Sequence, residues 1–563
     1  MSGAAWAVLL SAAVSAARVP AAVSPLVKVR PGAVLPEQHV ARLSLARGEC
    51  EGLQVVVPGP VEHLEVSPLS LRGPGAPLRA DLWRVGYLNV AIPSNSQGAT
   101  GPWPDALLPL DAPAPGPHLP VVVYVEFCAP TSQGAGTYRG QFMARMDGVE
   151  QTSLSFSVEV QPFVLPITPS LPTSFGISRY SIARGHHLPA ASPEAQALLR
   201  DYARVLLEHR LSAHGMGMDP PPVTFGPGDE AEVDWTDYDA EMAPFLEGTV
   251  LPSGARFTTL EVRDSPRAQT EAQKVAYYRA FSRHVRQKGW PAQLFFYTKD
   301  EPKPEDIPIV LAQSRRARAA GGILVLVTSP LEEALRNAAD ILAPPINCFY
   351  PRSGPQTCRT VVEMGPLRQR LPSGTKVWWY QSCISHGCGG GGSKRTGSDE
   401  AYTGWASYMV DHSTPTNRAM GVLAFGNGVE GELYFDTVFA YNTKRDPWTD
   451  LFEFGGNGDG TLFYPGTPAR LGQSGHHPVP SLRLKNIRDG LEDYEYLRLL
   501  AQLGDATFAR DAAYRLARTG WDIRQDAREW EQVRQVVTAR LRQRWTASEF
   551  AKRPSRHTPG STP

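Results

Sequence analysis

Two adjacent carboxylates at the end of an apolar run are the residues best suited to chemistry in this sequence. The segment LFFYTKDEPKPED, residues 294–306, reads as a buried strand that ends at Asp300 and Glu301 and is followed by Pro302. Neighbouring carboxylates raise each other's pKa, so one can stay protonated while the other is ionised. Cleavage of a glycosidic bond uses this combination. The alternative interpretation is a solvated loop acid beside a helix cap.

The backbone at this pair decides whether both acids can serve one site. Adjacent residues of a strand point to opposite faces of its sheet. Asp300 and Glu301 can therefore act together only if the strand has ended or bulged there. Pro302 favours this, because proline ends ladder pairing and biases the preceding residue away from helix.

The acids further along the chain select between mechanisms. A retaining glycosidase with a protein nucleophile needs a second carboxylate about 5 to 5.5 Å from the first. The run KVWWYQS (376–382) has no acid, whereas EGELYFD (430–436) supplies Glu432 and Asp436. If neither attacks, the acetamido group of a 2-acetamido sugar can supply the nucleophile. One acid then protonates the leaving oxygen and its neighbour orients the acetamide. A catalytically silent carbohydrate-binding protein is the alternative from another class.

Aromatic side chains cover the apolar faces of sugars and fix their orientation. By strand alternation, Trp378 and Tyr380 share one face and Trp379 lies on the other, so only one set can face a site. For any one candidate, packing in a core is the more common role, since aromatic side chains mostly fill cores. The candidates for substrate binding are Tyr297, Trp378, Trp379, Tyr380, Trp405, Tyr434 and the carboxylate of Asp436.

The elements that must position these residues change character along the chain. Residues 25–168 contain short Val-, Leu- and Phe-rich runs separated by turn residues, which predicts an antiparallel β-sandwich. From Phe175 onward strands alternate with amphipathic helices, and about eight strand candidates predict a (β/α)8 barrel over residues 169–505. Residues 506–563 are expected to form helices and a disordered tail. In such a barrel, chemistry lies at the carboxyl ends of the strands, where Asp300 and Glu301 fall.

Composition and the N-terminus limit the partners and the compartment. Lys+Arg and Asp+Glu balance at 56 each, so no net charge favours nucleic acid or a membrane surface. Residues 1–24 are Ala-rich and apolar and end near small residues, which predicts a signal peptide and a secreted or periplasmic protein. No later run is long enough for a membrane span. The expected partner is a glycan, and the sequence does not specify an oligomeric state.

The six cysteines permit three disulfides in an oxidising compartment. The segment CISHGC, from Cys383 to Cys388 with His386 between them, offers three of the four ligands that a structural zinc needs. Disulfides or free thiols are the other possibility for these cysteines. We predict no metal site and no cofactor.

Several motifs occur in the order found in a known family. They are LARGECEGLQVVV (45–57), GPWPDALLPL (101–110), YTKDEP (297–302), EGELYF (430–435), NGDGTLFYPG (457–466) and SLRLKNIRDGLEDYEYLRLL (481–500). Over residues 35–505 the sequence resembles the bacterial domain-of-unknown-function family 4091. The characterised relatives of that family are the β-N-acetylgalactosaminidases of glycoside hydrolase family 123.

The resemblance implies a sandwich, a (β/α)8 barrel and retaining, substrate-assisted hydrolysis by an Asp-Glu pair. Carried over to this sequence, Asp300 orients the acetamide and Glu301 is the general acid and base. The expected enzyme is an exo-glycosidase for a β-linked 2-acetamido sugar. The insertion CISHGCGGGGSKRTGSDE (383–400) lies where a sugar pocket would be shaped, so the resemblance leaves the identity of the sugar open.

Overall fold

The computed structural model describes residues 20–34, 40–57, 61–112, 119–148, 150–217, 219–328, 333–350, 352, 358, 361–383, 399–443 and 445–551. Most of the predicted signal peptide lies outside these ranges, as do His386, Cys388 and the end of the predicted disordered tail. None of the described helices is both long and apolar enough to cross a membrane.

The first part of the chain forms two sheets from ten strands. These are β1 (Ala21–Val23), β2 (Val40–Arg47), β3 (Glu49–Val57), β4 (Leu64–Val66), β5 (Ser70–Leu71), β6 (Leu78–Val90), β7 (Gly101–Leu108), β8 (Val121–Ala129), β9 (Gly136–Met146) and β10 (Glu150–Val164). The first sheet has the order β1-β3-β8-β6-β5, with β7 also paired to β6, and the second has the order β2-β10-β9-β4.

The two sheets share one buried cluster of apolar side chains. Val55 and Val123 from the first sheet lie in this cluster with Phe142 and Phe156 from the second. The expectation of purely antiparallel pairing is wrong at one place, because β2 and β10 run parallel. These two strands are distant in the chain, so no hairpin forces them into opposite directions. A disulfide between Cys50 and Cys128 joins β3 to β8.

The second part of the chain alternates strands with helices, and the whole is a mixed α/β protein. Its strands are β11 (Thr173–Gly176), β12 (Ala213–His214), β13 (Val223–Phe225), β14 (Ala231–Val233), β15 (Thr259–Val262), β16 (Gln293–Tyr297), β17 (Leu324–Val327), β18 (Ile341–Leu342), β19 (Lys376–Val377), β20 (Glu432–Tyr434), β21 (Phe452–Glu453), β22 (Gly456–Asn457), β23 (Phe463–Gly466), β24 (His477–Pro480), β25 (Ala517–Thr519) and β26 (Asp522–Ile523).

The described α-helices all follow the two N-terminal sheets. They are α1 (Arg179–Gly185), α2 (Pro193–Glu208), α3 (Thr236–Glu247), α4 (Glu271–Lys288), α5 (Ile307–Ala320), α6 (Glu333–Arg336), α7 (Met364–Arg370), α8 (Thr414–Asn427), α9 (Pro468–Leu471), α10 (Leu482–Leu500), α11 (Ala506–Leu516) and α12 (Ala527–Ala551). Helix α2 begins at Pro193, and the Ser192 side chain caps it by accepting a hydrogen bond from Ala195 N.

Eight parallel strands follow one another in a single order. Ladders join β12-β11-β20 and β15-β16-β17-β18-β19, and a bridge between Trp379 and Glu432 connects β19 to β20. Between β12 and β15 the contact lies just before the two strands: Thr258 N donates to Ser212 Oγ at 2.7 Å, and the hydroxyls of the two residues are 2.8 Å apart. No closed sheet is present among the described residues, so the closed barrel stays a prediction. We call the carboxyl-terminal edge of these eight strands the mouth.

The helices beyond the strands are anchored to both parts of the chain. Helix α10 carries the RDGLEDYEYL motif, and most of its residues are buried. Its charged side chains meet partners on the first sheet, on α8 and on α12. The predicted boundary at residue 505 falls between α10 and α11, which follow each other almost without interruption.

Candidate active site

We call the eight parallel strands the ring strands, and the face that carries Phe295 and Trp378 their inner face. The inner face is filled with apolar side chains below the mouth. Phe295, Leu326, Trp378 and Leu433 belong to one buried cluster there. Trp378 is fully buried and packs edge-on against Phe295, at 6.1 Å between ring centroids. Trp378 therefore lies in the apolar floor of the site, and its contact with a substrate stays a prediction.

Asp300 and Glu301 lie directly above this floor, just after β16 ends at Tyr297. Both acids are exposed. Glu301 has a φ of 39°, in the left-handed region that residues other than glycine rarely adopt. Such a backbone costs on the order of 1–3 kcal/mol. The strand has thus ended before the pair and the backbone turns within it, which removes the geometric objection to a shared site.

Hydroxyl groups from three strands hold the two acids in place. Asp300 Oδ1 accepts hydrogen bonds from Tyr297 Oη at 2.6 Å and from Thr328 Oγ1 at 3.1 Å. Thr328 Oγ1 also accepts from Glu301 N at 2.9 Å, so one buried hydroxyl contacts both residues. Tyr380 donates its hydroxyl to Glu301 Oε1. Tyr297 and Tyr380, both predicted from the sequence, are thereby brought to the acid pair.

Three further polar residues share the face that carries Phe295, and sequence reasoning missed them: Glu261 on β15, His214 on β12 and Ser174 on β11. Glu261 pairs in register with Phe295, so both point inward, and its carboxylate lies 3.2 Å from Arg263. His214 lies on β12, and Ser174 Oγ is 3.3 Å from its Nδ1. Burial lowers the pKa of His214, helped by Arg263 and opposed by Glu261 and Asp300. The alternation of β15 around Leu260 and Val262 was the signal that could have identified Glu261.

Other predicted residues lie on the opposite face of the strands. Trp379 packs against Phe349, and Tyr434 packs against Phe175 among the helices. Trp405 is also buried, and its indole N–H donates to a backbone carbonyl. The structure does not bring these three to Asp300 and Glu301, and their contact with a substrate stays a prediction. By alternation, only one face of KVWWYQS looks inward, and that face carries Trp378 and Tyr380.

The two acids considered as nucleophiles occupy different places. Glu432 lies on the outer face of β20 and accepts a hydrogen bond from the Tyr408 hydroxyl. Its burial raises the pKa of Glu432 to about 7. Asp436 follows β20 at the mouth, where its Oδ1 accepts from Thr437 N at 2.7 Å and Val438 N at 2.8 Å. Burial raises the pKa of Asp436 to about 7, although these two hydrogen bonds act to lower it.

The loop NGDGTLFYPG (457–466) uses its acid for hydrogen bonding. Asp459 is buried, and its Oδ2 accepts from Ser382 Oγ at 3.0 Å and from Cys383 N at 2.8 Å. This carboxylate therefore anchors the chain at the start of the glycine-rich insertion. Cys383 is itself disulfide-bonded, which is incompatible with a zinc thiolate. The described residues contain no group of three or more His, Cys, Asp or Glu that could hold a metal ion.

Two large hollows lie away from the acid pair. One, of about 600 Å³, is lined by residues of α11 and the β25–β26 hairpin, together with Asn427. The other, of about 730 Å³, lies between β1, β2 and α12. Neither is lined by a residue of the eight ring strands. The chemistry of the acid pair, rather than a large hollow, marks the mouth as the candidate site.

Comparison with known proteins places the fold. No protein-family model and no curated protein matches the sequence. Among solved structures, a family 123 glycoside hydrolase from Clostridium perfringens matches with a TM-score of 0.63 and 12% identity, over 95% of this chain and 99% of that one. That enzyme is described as hydrolysing glycolipid glycans.

Two other glycoside hydrolases match more weakly. A family 39 enzyme from Bacteroides cellulosilyticus has a TM-score of 0.28 and 10% identity over 81% of each chain. A family 5 xyloglucanase from Bacteroides ovatus has a TM-score of 0.26 and 10% identity over 82% of this chain and 99% of that one. Neither score supports an argument. The expected resemblance is confirmed by the first match: this chain has the fold of a family 123 glycoside hydrolase.

Proposed function

We propose that this protein is a retaining exo-glycoside hydrolase that cleaves a β-linked 2-acetamido sugar, of the N-acetylgalactosamine type, with help from the substrate. The observation that carries the proposal is the Asp300-Glu301 pair. It stands exposed at the mouth and is held by Tyr297, Thr328 and Tyr380. The likeness of fold to a glycoside hydrolase supports it.

The two carboxylates have different tasks in this reaction. Glu301 donates a proton to the glycosidic oxygen as the bond from C1 to that oxygen breaks. The carbonyl oxygen of the acetamido group attacks C1 and forms a cyclic oxazolinium ion. Asp300 accepts a hydrogen bond from the acetamide nitrogen and balances the positive charge. Glu301 then removes a proton from the water that opens the ring, and C1 regains its configuration.

The neighbouring hydroxyls support these tasks. The Tyr297 and Thr328 hydroxyls donate to one oxygen of Asp300, which fixes the orientation of the carboxylate. Tyr380 donates to Glu301 and lies on the inward face, between the floor and the mouth. Its ring is nearly buried, so its contribution at the site is the hydrogen bond to Glu301.

A two-carboxylate mechanism is the alternative within the same reaction class. Glu432 is a poor nucleophile for it, because its side chain lies on the outer face of β20. Glu261 and Asp436 are better placed, since the first faces the ring centre and the second lies at the mouth. The alternative from another class is a carbohydrate-binding protein without hydrolytic activity.

A panel of nitrophenyl glycosides tests the proposal. We expect hydrolysis of β-linked 2-acetamido sugars and none of the same sugars without the acetamido group. Activity confined to sugars without that group would overturn substrate assistance and favour Glu261 or Asp436 as a nucleophile. Glycan binding without any hydrolysis, with unchanged affinity in Glu301→Gln, would favour the binding protein.

We extend the proposal to the architecture and the compartment. Residues 25–168 form a β-sandwich, and residues 169–505 form a (β/α)8 barrel with a side-chain seam between β12 and β15. The protein is exported to the periplasm or the medium. The disulfides Cys50–Cys128 and Cys348–Cys358 support export, because disulfides persist in oxidising compartments.

A further inference from the structure

Three phenylalanine rings form a contiguous patch at the mouth. Phe435 directly follows β20, Phe439 begins the short 3₁₀ helix Phe439–Asn442, and Phe454 follows β21. Ring centroids lie 5.7 Å apart for Phe435 and Phe439, 6.1 Å for Phe435 and Phe454, and 5.1 Å for Phe439 and Phe454. We call these three residues the phenylalanine patch.

The phenylalanine patch is open to solvent. Phe454 is 37% exposed, and Phe435 and Phe439 are partly exposed. Scattered exposed apolar residues are ordinary, but contiguous apolar rings on a surface mark a binding site more often than chance. The patch contains only aromatic rings, and flat rings suit a flat apolar ligand face better than an irregular one.

The backbone at Phe454 is strained. Strands β21 and β22 pair antiparallel, with Glu453 opposite Gly456, so Phe454 and Gly455 form a two-residue turn. Both have positive φ, 52° and 90°. Turns of this type favour Asn-Gly, because a bulky side chain is unfavourable at positive φ. Of the described non-glycine residues with positive φ, Phe454 is the only hydrophobic one. Strain retained at a surface ring indicates a functional role for the ring.

The patch and the acid pair share one end of the fold. Strands β16 and β20 are both parallel members of the ring, so Phe435 and Asp300 leave their strands at the same edge. The floor of Phe295, Trp378 and Leu433 blocks the ring below them. A sugar held by Asp300 and Tyr380 must therefore enter from the mouth, and whatever is attached to it must extend outward across the rim.

We propose that the phenylalanine patch binds the sugar on the leaving-group side of the scissile bond, by stacking its rings on the C–H face of that sugar. The inference rests on the proposed function, because an exo-glycosidase holds only one sugar beyond its scissile bond and the next sugar belongs to the leaving group. Uncharged rings make no demand on hydroxyl orientation, so the patch accepts several sugars and selects for a glycan over a single sugar.

Binding measurements in a Glu301→Gln background separate the two sugar positions without turnover. The ligands are free N-acetylgalactosamine and the disaccharide N-acetylgalactosamine-β-1,4-galactose, both titrated by calorimetry. Phe439→Ala and Phe454→Ala should each weaken binding of the disaccharide about 2- to 10-fold and leave the affinity for the monosaccharide unchanged. Tyr514→Ala is the matched control, because Tyr514 is 41% exposed on α11, away from the mouth.

The variant Phe454→Asn distinguishes a binding ring from a packing ring. Asparagine tolerates positive φ, so it should raise the thermal midpoint while weakening the disaccharide as Phe454→Ala does. A lower midpoint with unchanged disaccharide affinity would overturn the proposal and leave the ring a structural role. An equal loss of affinity for the monosaccharide and the disaccharide would also overturn the proposal. If the Glu301→Gln parent binds neither sugar, and no glycan on a broad array, both this inference and the proposed function fail.

Discussion

Two regions of this molecule concentrate charge, and they hold it in different ways. At the mouth, Asp300 and Glu301 are exposed, adjacent in sequence and contacted by hydroxyls. Around α10, by contrast, charged side chains are buried and paired. Glu126 on β8 meets Lys485 at 2.8 Å and Arg488, all nearly inaccessible to solvent. The carboxylates at the mouth are thus held by neutral hydroxyl donors, whereas those around α10 are paired with opposite charges.

The buried region joins the two parts of the chain. Arg483 contacts Asp105 on β7 with both side chains fully buried, and Arg534 on α12 contacts Glu49 on β3 and Asp493 on α10. A buried pair pays for desolvation, so its net contribution to stability is small, but loss of one partner leaves an uncompensated charge. The RDGLEDYEYL motif therefore acts as a structural connection, and the mouth supplies the chemistry.

The largest effect should follow from changing the acid pair. Asp300→Asn removes the charge that balances the oxazolinium ion and should lower kcat/KM by about 10² to 10⁴ for all leaving groups. The kcat/KM of Glu301→Gln should fall by a similar factor for poor leaving groups. It should fall much less for an activated nitrophenyl group, because that leaving group needs little protonation. Because both side chains are exposed, the thermal unfolding midpoints of the two variants should differ little from that of the wild type.

The dependence on the leaving group separates the two roles. A matched comparison uses nitrophenyl and methyl glycosides of the same sugar in each variant. Equal losses on both substrates in Glu301→Gln would contradict its role as the acid. Wild-type rates in both variants would show that the pair is a loop acid beside a cap.

The buried region should show the opposite pattern, with a loss of stability. Burial would raise the pKa of Glu126, but the charges of Arg488 and Lys485 outweigh it and lower the pKa to about 2. Glu126→Gln leaves both cations unbalanced and should cost about 3–5 kcal/mol of unfolding free energy at pH 7. The control is Glu65→Gln, because Glu65 lies 3.9 Å from Arg145 and both side chains are exposed. This variant should lose less than about 1 kcal/mol of unfolding free energy.

The pH dependence of this loss has a definite sign. A depressed carboxyl pKa stabilises the folded state above the ordinary value of 4.5, and that contribution disappears as the pH falls towards 2. The difference between wild type and Glu126→Gln in urea unfolding should therefore shrink between pH 4.5 and pH 2. A difference that stays constant over this interval would show that packing, not charge, links Glu126 to the helix.

The sequence predicted the two regions unequally. The alternation of strand and helix followed from local patterns, whereas the hydrogen bonds from Tyr297 and Tyr380 to the acid pair were not predicted. The 13-residue strand β6 and helix α8 were missed. Arg84 and Asp81 interrupt the apolar pattern of β6, and α8 is buried on most sides, so it lacks the amphipathic periodicity of a surface helix.

The partners of individual charges were beyond sequence reasoning for a physical reason. Arg488 and Glu492 form a recognisable i,i+4 pair, and they do lie 3.6 Å apart. The closer partner of Arg488 is Glu126, more than 350 positions away along the chain, and only the folded arrangement brings them together. The inward position of Glu261 depended in the same way on the register of β15 with β16.

A smaller effect should separate structure from chemistry at Glu432. Burial raises the pKa of this carboxyl to about 7, so its contribution to stability is lost as the pH rises from 4.5 through 7. Glu432→Gln keeps an acceptor for Tyr408 and removes the titration. We expect it to gain on the order of 1–3 kcal/mol at pH 8 and almost nothing at pH 4, with activity retained. Loss of activity at unchanged stability would instead make Glu432 the nucleophile.

The smallest effect should come from Thr328, which acts on the acid pair through its hydroxyl. That hydroxyl donates to Asp300 and accepts from the backbone N–H of the strained Glu301. Thr328→Val keeps the shape and leaves the N–H without this acceptor, which costs about 1–3 kcal/mol. We expect kcat to fall about 10-fold with KM nearly unchanged, because misplacing the pair affects the transition state more than the bound substrate. Thr328→Ser restores the hydroxyl and should restore most of kcat. If Ser and Val lose activity equally, the methyl group and its packing matter rather than the hydroxyl, and the acid pair is held by Tyr297 and Tyr380 alone.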